Sequence, residues 1–432
     1  MNHPSSESLR PDPIPVPSPT PEGGSRRCRF CAHSVHTSFV DLGMSPLCQT
    51  HIAPDQRNHM ERFYPLHARV CEHCLLVQLD EYVAPGDIFS EYAYFSSFSD
   101  SWVAHAKHYC EAMRARFGLD AHSRVIEIAS NDGYLLQHFV AMKIPVLGIE
   151  PAANIAQAAA AKGVPTLSKF FGRQSAREIV IDHGRAQLLL GNNVLAHVPD
   201  LNDFVGGLKI LLADDGVLTM EFPHLYQLIQ QSQFDTIYHE HFSYFSFFTV
   251  EQVFKFHGLV LFDVEEIPTH GGSLRIYGRH EQDPSQPVCA SVAALRAKEI
   301  AAGLTTLPRY QAFGEQVKTA KRELLSMLIG LKAAGQRIVG YGAPGKGNTL
   351  LNYCGIRRDF LDFTVDRNPY KQGKFLPGTH IPILEPAALL AARPDYVLIL
   401  PWNLEQEIVA QLAPIRAWGG KFIIPIPAAR IV

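Results

Sequence analysis

At 432 residues the chain is too long for one hydrophobic core, so several domains are expected. Hydrophobic residues at 47% and charged residues at 19% describe a globular chain, not a disordered or fibrous one. A net charge of −3 offers no bulk attraction to nucleic acid or an anionic membrane. No apolar run approaches the ~20 residues that span a bilayer, and no basic stretch followed by an apolar one opens the chain. A cytoplasmic protein with neither nucleic-acid nor membrane partner is therefore expected, and a monomer is compatible with this composition.

Residues 1–26 read as a disordered tail, with six prolines between Pro11 and Pro21 and too little apolar surface to offset ordering. A short module bracketed by cysteine pairs follows. A helix is predicted from Ser99 to Phe117, where Trp102, Val103, Ala106, Tyr109, Cys110 and Met113 recur at helical spacing. Strands are predicted at 124–129, 146–150, 187–192 and 216–221, with helices at 134–142, 154–162 and 202–212 between them. Such alternation argues for a doubly wound parallel sheet. Residues 291–335 read as a mostly helical spacer. A second alternation has strands at 337–342, 363–366, 396–400 and 422–425, and helices near 349–354, 386–392 and 404–412. The fold class is α/β: two Rossmann-like units in series behind a small cysteine-bearing module.

Cys28-x-x-Cys31 and Cys71-x-x-Cys74 supply four thiolates in two knuckles, the donor set of a closed tetrahedral zinc site whose role is folding. His33, His36, His67 and His73 are possible substitutes. Cys48, Cys110, Cys289 and Cys354 are scattered and read as small buried hydrophobes. The turn after the first predicted parallel strand, Glu127-Ile-Ala129-Ser-Asn131-Asp-Gly133, lacks the glycine pattern that admits a pyrophosphate. Small polar residues and one glycine do suit a cofactor without phosphate, held by carboxylate and amine. Glu150 ends the next strand, where an acid takes both ribose hydroxyls, and Asn192-Asn193 ends a later one facing the same crevice. This order and spacing point to S-adenosylmethionine, with a dinucleotide as the alternative.

In Tyr238-His239-Glu240-His241 the histidines stand two apart, unlike the four-residue spacing of an HExxH zinc site. A base, a carboxylate to orient it and a phenol for a developing oxyanion make a proton-transfer cluster; an aromatic core segment is the alternative. Gly340-Tyr-Gly342-Ala343-Pro-Gly-Lys346-Gly347 satisfies GxGxxG, but glycine stands where a P-loop needs Ser or Thr. Such a turn suits a pyrophosphate, and Asp366, 24 residues after Gly342, stands where a ribose-reading acid would sit. NAD or a nucleotide sugar is the ligand this unit allows; a turn that only packs helix on strand is the third reading.

Taken in order, the two cysteine pairs, residues 127–133, Tyr238–Phe242, His270-Gly271-Gly272, and segments 340–352 and 366–382 resemble the sugar C-methyltransferases that build branched deoxysugars on nucleoside diphosphates. The resemblance spans nearly everything from Cys28 to Val432. It implies a zinc-binding module at 27–88, a methyltransferase domain at 89–290, a helical connector at 291–335 and a nucleotide-sugar-binding domain at 336–432. It also implies His241 as general base, with Glu240, Tyr238 and either Tyr92 or Tyr94 beside it, and S-adenosylmethionine at Glu127, Ala129, Asn131, Gly133, Glu150, Asn192 and Asn193. The nucleotide-linked keto-deoxysugar is then expected against Gly342, Ala343, Lys346, Asn348, Asp366 and Lys371. The acid–aromatic pair usual for the adenine is replaced by Ser168-Lys169-Phe170-Phe171.

Overall fold

The computed structural model describes residues 26–83, 96–98 and 100–432. Tyr92, Tyr94 and nearly all of the Pro-rich tail lie outside the described residues. The strands, in chain order, begin with β1 (Thr37–Ser45), β2 (Tyr64–Val70) and β3 (Val77–Gln78). Then come β4 (Val125–Ile128), β5 (Val146–Ile149), β6 (Thr166–Leu167), β7 (Ala186–Asn192), β8 (Leu212–Pro223), β9 (Ser243–Tyr244), β10 (Leu259–Ile267) and β11 (Ser273–His280). Last are β12 (Ile338–Tyr341), β13 (Thr364–Val365), β14 (Ile383–Leu384), β15 (Tyr396–Ile399), β16 (Lys421–Ile424) and β17 (Arg430–Ile431).

They form three sheets. The largest runs β10-β11-β8-β7-β4-β5-β6. Its β4 to β8 are parallel, because helices connect them, whereas β11 is antiparallel to both β8 and β10. All four residues of β4 are buried, as both faces of a parallel sheet are covered. The hairpin β10–β11 continues this sheet beyond the four strands predicted from sequence. The C-terminal sheet runs β14-β13-β12-β15-β16-β17, parallel except for β17. The smallest is antiparallel β1-β2-β3, and its fourth strand is β9, contributed by the chain after β8.

Residues 291–335 are more than a spacer. Helices Ala290–Ala301, Leu307–Gln311 and Phe313–Ala333 occupy them. The last buries Phe313, Val317, Ala320, Leu324 and Leu328, one stripe at helical spacing. That stripe belongs to an apolar cluster joining Phe39, Leu66 and Val77 of the small sheet to Val339, Leu350 and Leu398 of the C-terminal unit. A second cluster contains Cys28, Cys71 and Cys74 together with Ile126, Leu189 and Phe247. In each parallel sheet the chain winds outward one way and then returns, leaving a crevice between β4 and β7 and another between β12 and β15.

Candidate active site

One cavity of about 710 Å³ joins the two units. Ala129 and Asn131 after β4, Glu150 after β5, and Asn192 and Asn193 at β7 line one side; Tyr238, Glu240, His241, Lys346 and Lys371 line the rest. Residues far apart in sequence therefore share one space. Glu127, Gly133, Gly342, Ala343, Asn348 and Asp366 are absent from its wall and must act, if at all, through the residues that form it.

The β4 turn is built from left-handed residues: Ala129 at φ 56°, Asn131 at 48° and Gly133 at 75°. Asn193 and His270, also on the wall, have φ 54° and 56°. Non-glycine residues rarely adopt this region, and such strain persists where the surrounding structure holds a site. Glu150 braces the turn: one carboxylate oxygen accepts from the Asn131 N–H and the other from the Ala152 N–H, both at 3.0 Å. Glu127 is wholly buried beneath, and neither of its oxygens has a hydrogen-bond partner among the described residues. Burial, and next the Glu150 carboxylate, push its pKa well up.

These residues fit S-adenosylmethionine. The Asn192 amide is buried at the cavity wall, and among the described residues both of its polar atoms are unpartnered, a cost that a polar ligand group removes. The cavity continues past Lys169, Phe170 and Phe171, which supply an apolar wall in place of the usual acid–aromatic pair.

His241 donates its Nδ1–H to the Thr236 carbonyl at 3.1 Å, since a carbonyl can only accept. The lone pair is thereby left on Nε2. The expected orienting partner was the Glu240 carboxylate; instead a backbone carbonyl fixes the ring, and Glu240 accepts from the Cys48 thiol at 3.6 Å. Burial, then the neighbouring His197, hold the His241 pKa well below the ordinary imidazole value. Tyr238 lies against His241 with ring centroids 4.1 Å apart, and His197 meets it edge-on at 4.6 Å. His239, by contrast, turns to the Pro65 carbonyl of the small sheet.

Two cavity histidines were given no role from sequence. His197, in the turn of helix after β7, belongs to no motif. His270 sits in the His-Gly-Gly stretch; its Nε2 accepts from the Asn193 amide at 3.2 Å. Burial lowers both to about 4. Lys346 lies 4.5 Å over the Trp402 ring and donates to Asn403 at 2.8 Å. Lys371 donates to the Ala343 carbonyl, and Asp366 accepts from the Ala343 and Asn368 N–H groups.

The glycine pattern of this turn answers to internal packing. A Cβ on Gly345 would come 2.9 Å from Cys48 Sγ, and one on Gly342, at φ +89°, 2.6 Å from Pro401. The close approach that a pyrophosphate requires is made here by the protein's own atoms. Asn348 is buried away from the cavity wall, and both of its amide atoms are unpartnered among the described residues.

The four cysteines form a separate centre. Their sulfurs all lie within 4.8 Å of one another, with Cys28–Cys74 and Cys31–Cys71 at 3.5 Å. Zn–S bonds of about 2.3 Å set tetrahedral sulfurs roughly 3.8 Å apart, so the set fits zinc and leaves no open position. His33 and His73 stack beside Cys31 at 3.9 Å, on the exposed side.

Comparison with known proteins agrees with this architecture. Residues 28–89 match a zinc-binding domain model, 102–264 a methyltransferase domain model, and 268–427 the model of the C-methyltransferase C-terminal domain. The chain is 35% identical over 410 residues to C-methyltransferase NovU of Streptomyces niveus, covering 94% of this chain and 96% of that protein. Among solved structures, a SAM-dependent methyltransferase from Anabaena variabilis is 15% identical, with 41% of this chain and 86% of that one covered at a TM-score of 0.34. One from Clostridium acetobutylicum is 10% identical, with 40% and 90% covered at 0.32. These two overlaps are too low to carry an argument, and the assignment rests on the domain models and the long match at 35% identity. The chain belongs to the S-adenosylmethionine-dependent C-methyltransferases that join a zinc-binding module, a methyltransferase core and a C-methyltransferase C-terminal domain.

Proposed function

We propose that this C-methyltransferase acts on a nucleoside-diphosphate-linked 4-keto-6-deoxysugar, methylating C3, the carbon next to the ketone. The observation that carries the reading is His241: a desolvated imidazole with Nδ1–H fixed on a carbonyl and, among the described residues, no hydrogen bond on Nε2, in the cavity that also holds the cofactor-type turn. An alkyl C–H is not nucleophilic, but one α to a ketone becomes so once a base removes its proton. O- or N-methylation requires no proton to be taken from carbon.

His241 takes the C3 proton on Nε2, and the Thr236 carbonyl stabilises the resulting imidazolium. Tyr238, and either Tyr92 or Tyr94, are the phenols for the enolate oxygen, and Glu240 completes this wall. Ala129, Asn131, Glu150, Asn192 and Asn193 hold the cofactor, with Glu127 and Gly133 supporting their turn. S-adenosylmethionine, when bound, supplies a sulfonium methyl group for attack by the carbanionic carbon. Lys346 and Lys371 face the nucleotide sugar, and Gly342, Ala343, Asn348 and Asp366 shape the loop that presents them.

The test is solvent-deuterium exchange at C3 of nucleotide-linked 4-keto-6-deoxysugars with S-adenosylhomocysteine bound. The wild-type protein exchanges and, with S-adenosylmethionine, adds one methyl group to carbon by mass. His241→Asn loses both while still binding S-adenosylhomocysteine. Exchange retained in His241→Asn would remove this residue from the role of base.

A further inference from the structure

We infer that Lys346, carried by the C-terminal domain, is a catalytic residue of the methyltransferase core: its ammonium meets the substrate oxygen that becomes negative when His241 removes the neighbouring proton. The inference rests on the keto-sugar reading above and deepens it. Lys346 follows the Gly345 that opens helix Gly345–Cys354, and its exposed surface is cavity wall, shared with Tyr238, Glu240, His241 and His270.

The ammonium is held in place. One N–H goes to Asn403 Oδ1 at 2.8 Å, and the Trp402 ring lies beneath it at 4.5 Å. Trp402 is fixed in turn by donating its indole N–H to the buried Asp235 carboxylate at 2.7 Å. Among the described residues no carboxylate approaches the ammonium within 4.0 Å, so Asp235 acts on it only from farther away. A desolvated cation without a contact anion is costly, and an anion brought by the ligand relieves that cost.

Two anions could come with the substrate, the diphosphate or the enolate. Lys346 is placed for the second. It lines the cavity together with Tyr238, His241 and His270, at the proton-transfer end. Lys371 lies on the loop after Asp366, 3.9 Å from its carboxylate, and donates to the Ala343 carbonyl of the glycine turn, where a diphosphate is expected. In the step itself the C–H bond breaks, its proton goes to His241 Nε2, and its electron pair moves through carbon to the ketone oxygen. A neutral base and neutral ketone become an imidazolium and an enolate, and only the enolate oxygen gains from the fixed ammonium.

Lys346→Met, Lys346→Gln and Lys346→Arg are compared with wild type for deuterium exchange with S-adenosylhomocysteine bound, and for binding of free TDP and GDP by calorimetry. Melting temperature and S-adenosylhomocysteine affinity report folding, and Lys346→Gln serves if the Met variant does not fold. Exchange at saturating sugar should fall about 100-fold or more in the uncharged variants and less in Lys346→Arg. Nucleoside diphosphate affinity should stay within about threefold. The acid limb of the exchange profile should move to higher pH, because His241 loses a neighbouring positive charge. Exchange near wild type in the uncharged variants, or loss of TDP and GDP binding with exchange intact, overturns the inference alone. No exchange by wild-type protein on any keto-deoxysugar nucleotide overturns the keto-sugar reading, and this inference with it.

Discussion

Histidines dominate the chemistry at the scale of single residues. His197 and His270 are held to about 4, while an unfolded chain restores them to about 6.5. As pH falls through that window the unfolded chain binds protons that the folded one refuses, so stability falls, by at most roughly 1.4 kcal/mol per pH unit for each group. Asp235, raised to about 6, works the other way over the same window, taking up its proton in the folded state. Glu127 and Glu150, whose burial raises them, act with Asp235. His51 and His257, also held to about 4, and His241 act with His197 and His270, and the imidazoles outnumber the carboxyls. The melting temperature should therefore drop steadily from pH 7 to pH 4, and less steeply in His197→Gln. An identical slope in that variant would show that His197 is not kept neutral by folding. At this scale sequence named His241, Tyr238 and Glu240 by their clustering. It could not show that the Thr236 carbonyl orients the base, nor that Cys48, read as a small hydrophobe, donates to Glu240. Backbone acceptors and contacts between distant residues leave no trace in residue type.

Among the elements, the helix Ala290–Ala301 shows how the connector is fixed. Its Glu299 is wholly buried and fully used: Oε1 accepts from the Phe247 N–H and from His224 Nε2, both at 2.7 Å, and Oε2 from the Phe248 N–H at 2.8 Å. Ser246 Oγ accepts from the Thr249 N–H. The first three N–H groups of helix Phe247–Phe256 are thus satisfied, two of them by a residue some fifty positions away. Glu299→Ala leaves two helix N–H groups and an imidazole buried without partners and should cost on the order of 3 kcal/mol in denaturant titration. A loss below about 1 kcal/mol would mean that water replaces the carboxylate. Sequence read the connector as mostly helical. The apolar stripe from Phe313 to Leu328 and the surfaces it joins came from the structure, because a helical reading does not name its partners. Strands β10 and β11 went unassigned for a related reason: charged residues interrupt their apolar pattern, Glu265 and Glu266 in β10, and Arg275, Arg279 and His280 in β11, although every residue of β11 is buried.

At the scale of the whole molecule the zinc module is a structural partner of both other parts. Its sheet takes β9 from the methyltransferase core, its Phe39 and Val77 share a cluster with the C-terminal unit, and its cysteines pack with Ile126 and Leu189. Structural zinc contributes on the order of 10 kcal/mol to folding in small isolated domains. Removing it by chelation, or replacing Cys71 by Ser, should lower the melting temperature of the whole chain and weaken S-adenosylhomocysteine binding, beyond any local loss of order. Calorimetry alongside zinc content checks this; an unchanged main transition in metal-free protein would make the module an independent appendage.

The linear chain determined the parts: two strand–helix alternations, a four-cysteine zinc set, and a His-Glu-His run of the right chemistry. These are local, because periodicity, ligand spacing and side-chain acidity belong to short stretches. Tertiary structure alone decided that the crevices of two separate sheets open into one cavity, that the glycines of the C-terminal turn serve packing, and that Lys346 lines the same cavity as His241. Those facts follow from how apolar faces bury against one another, which depends on every element at once.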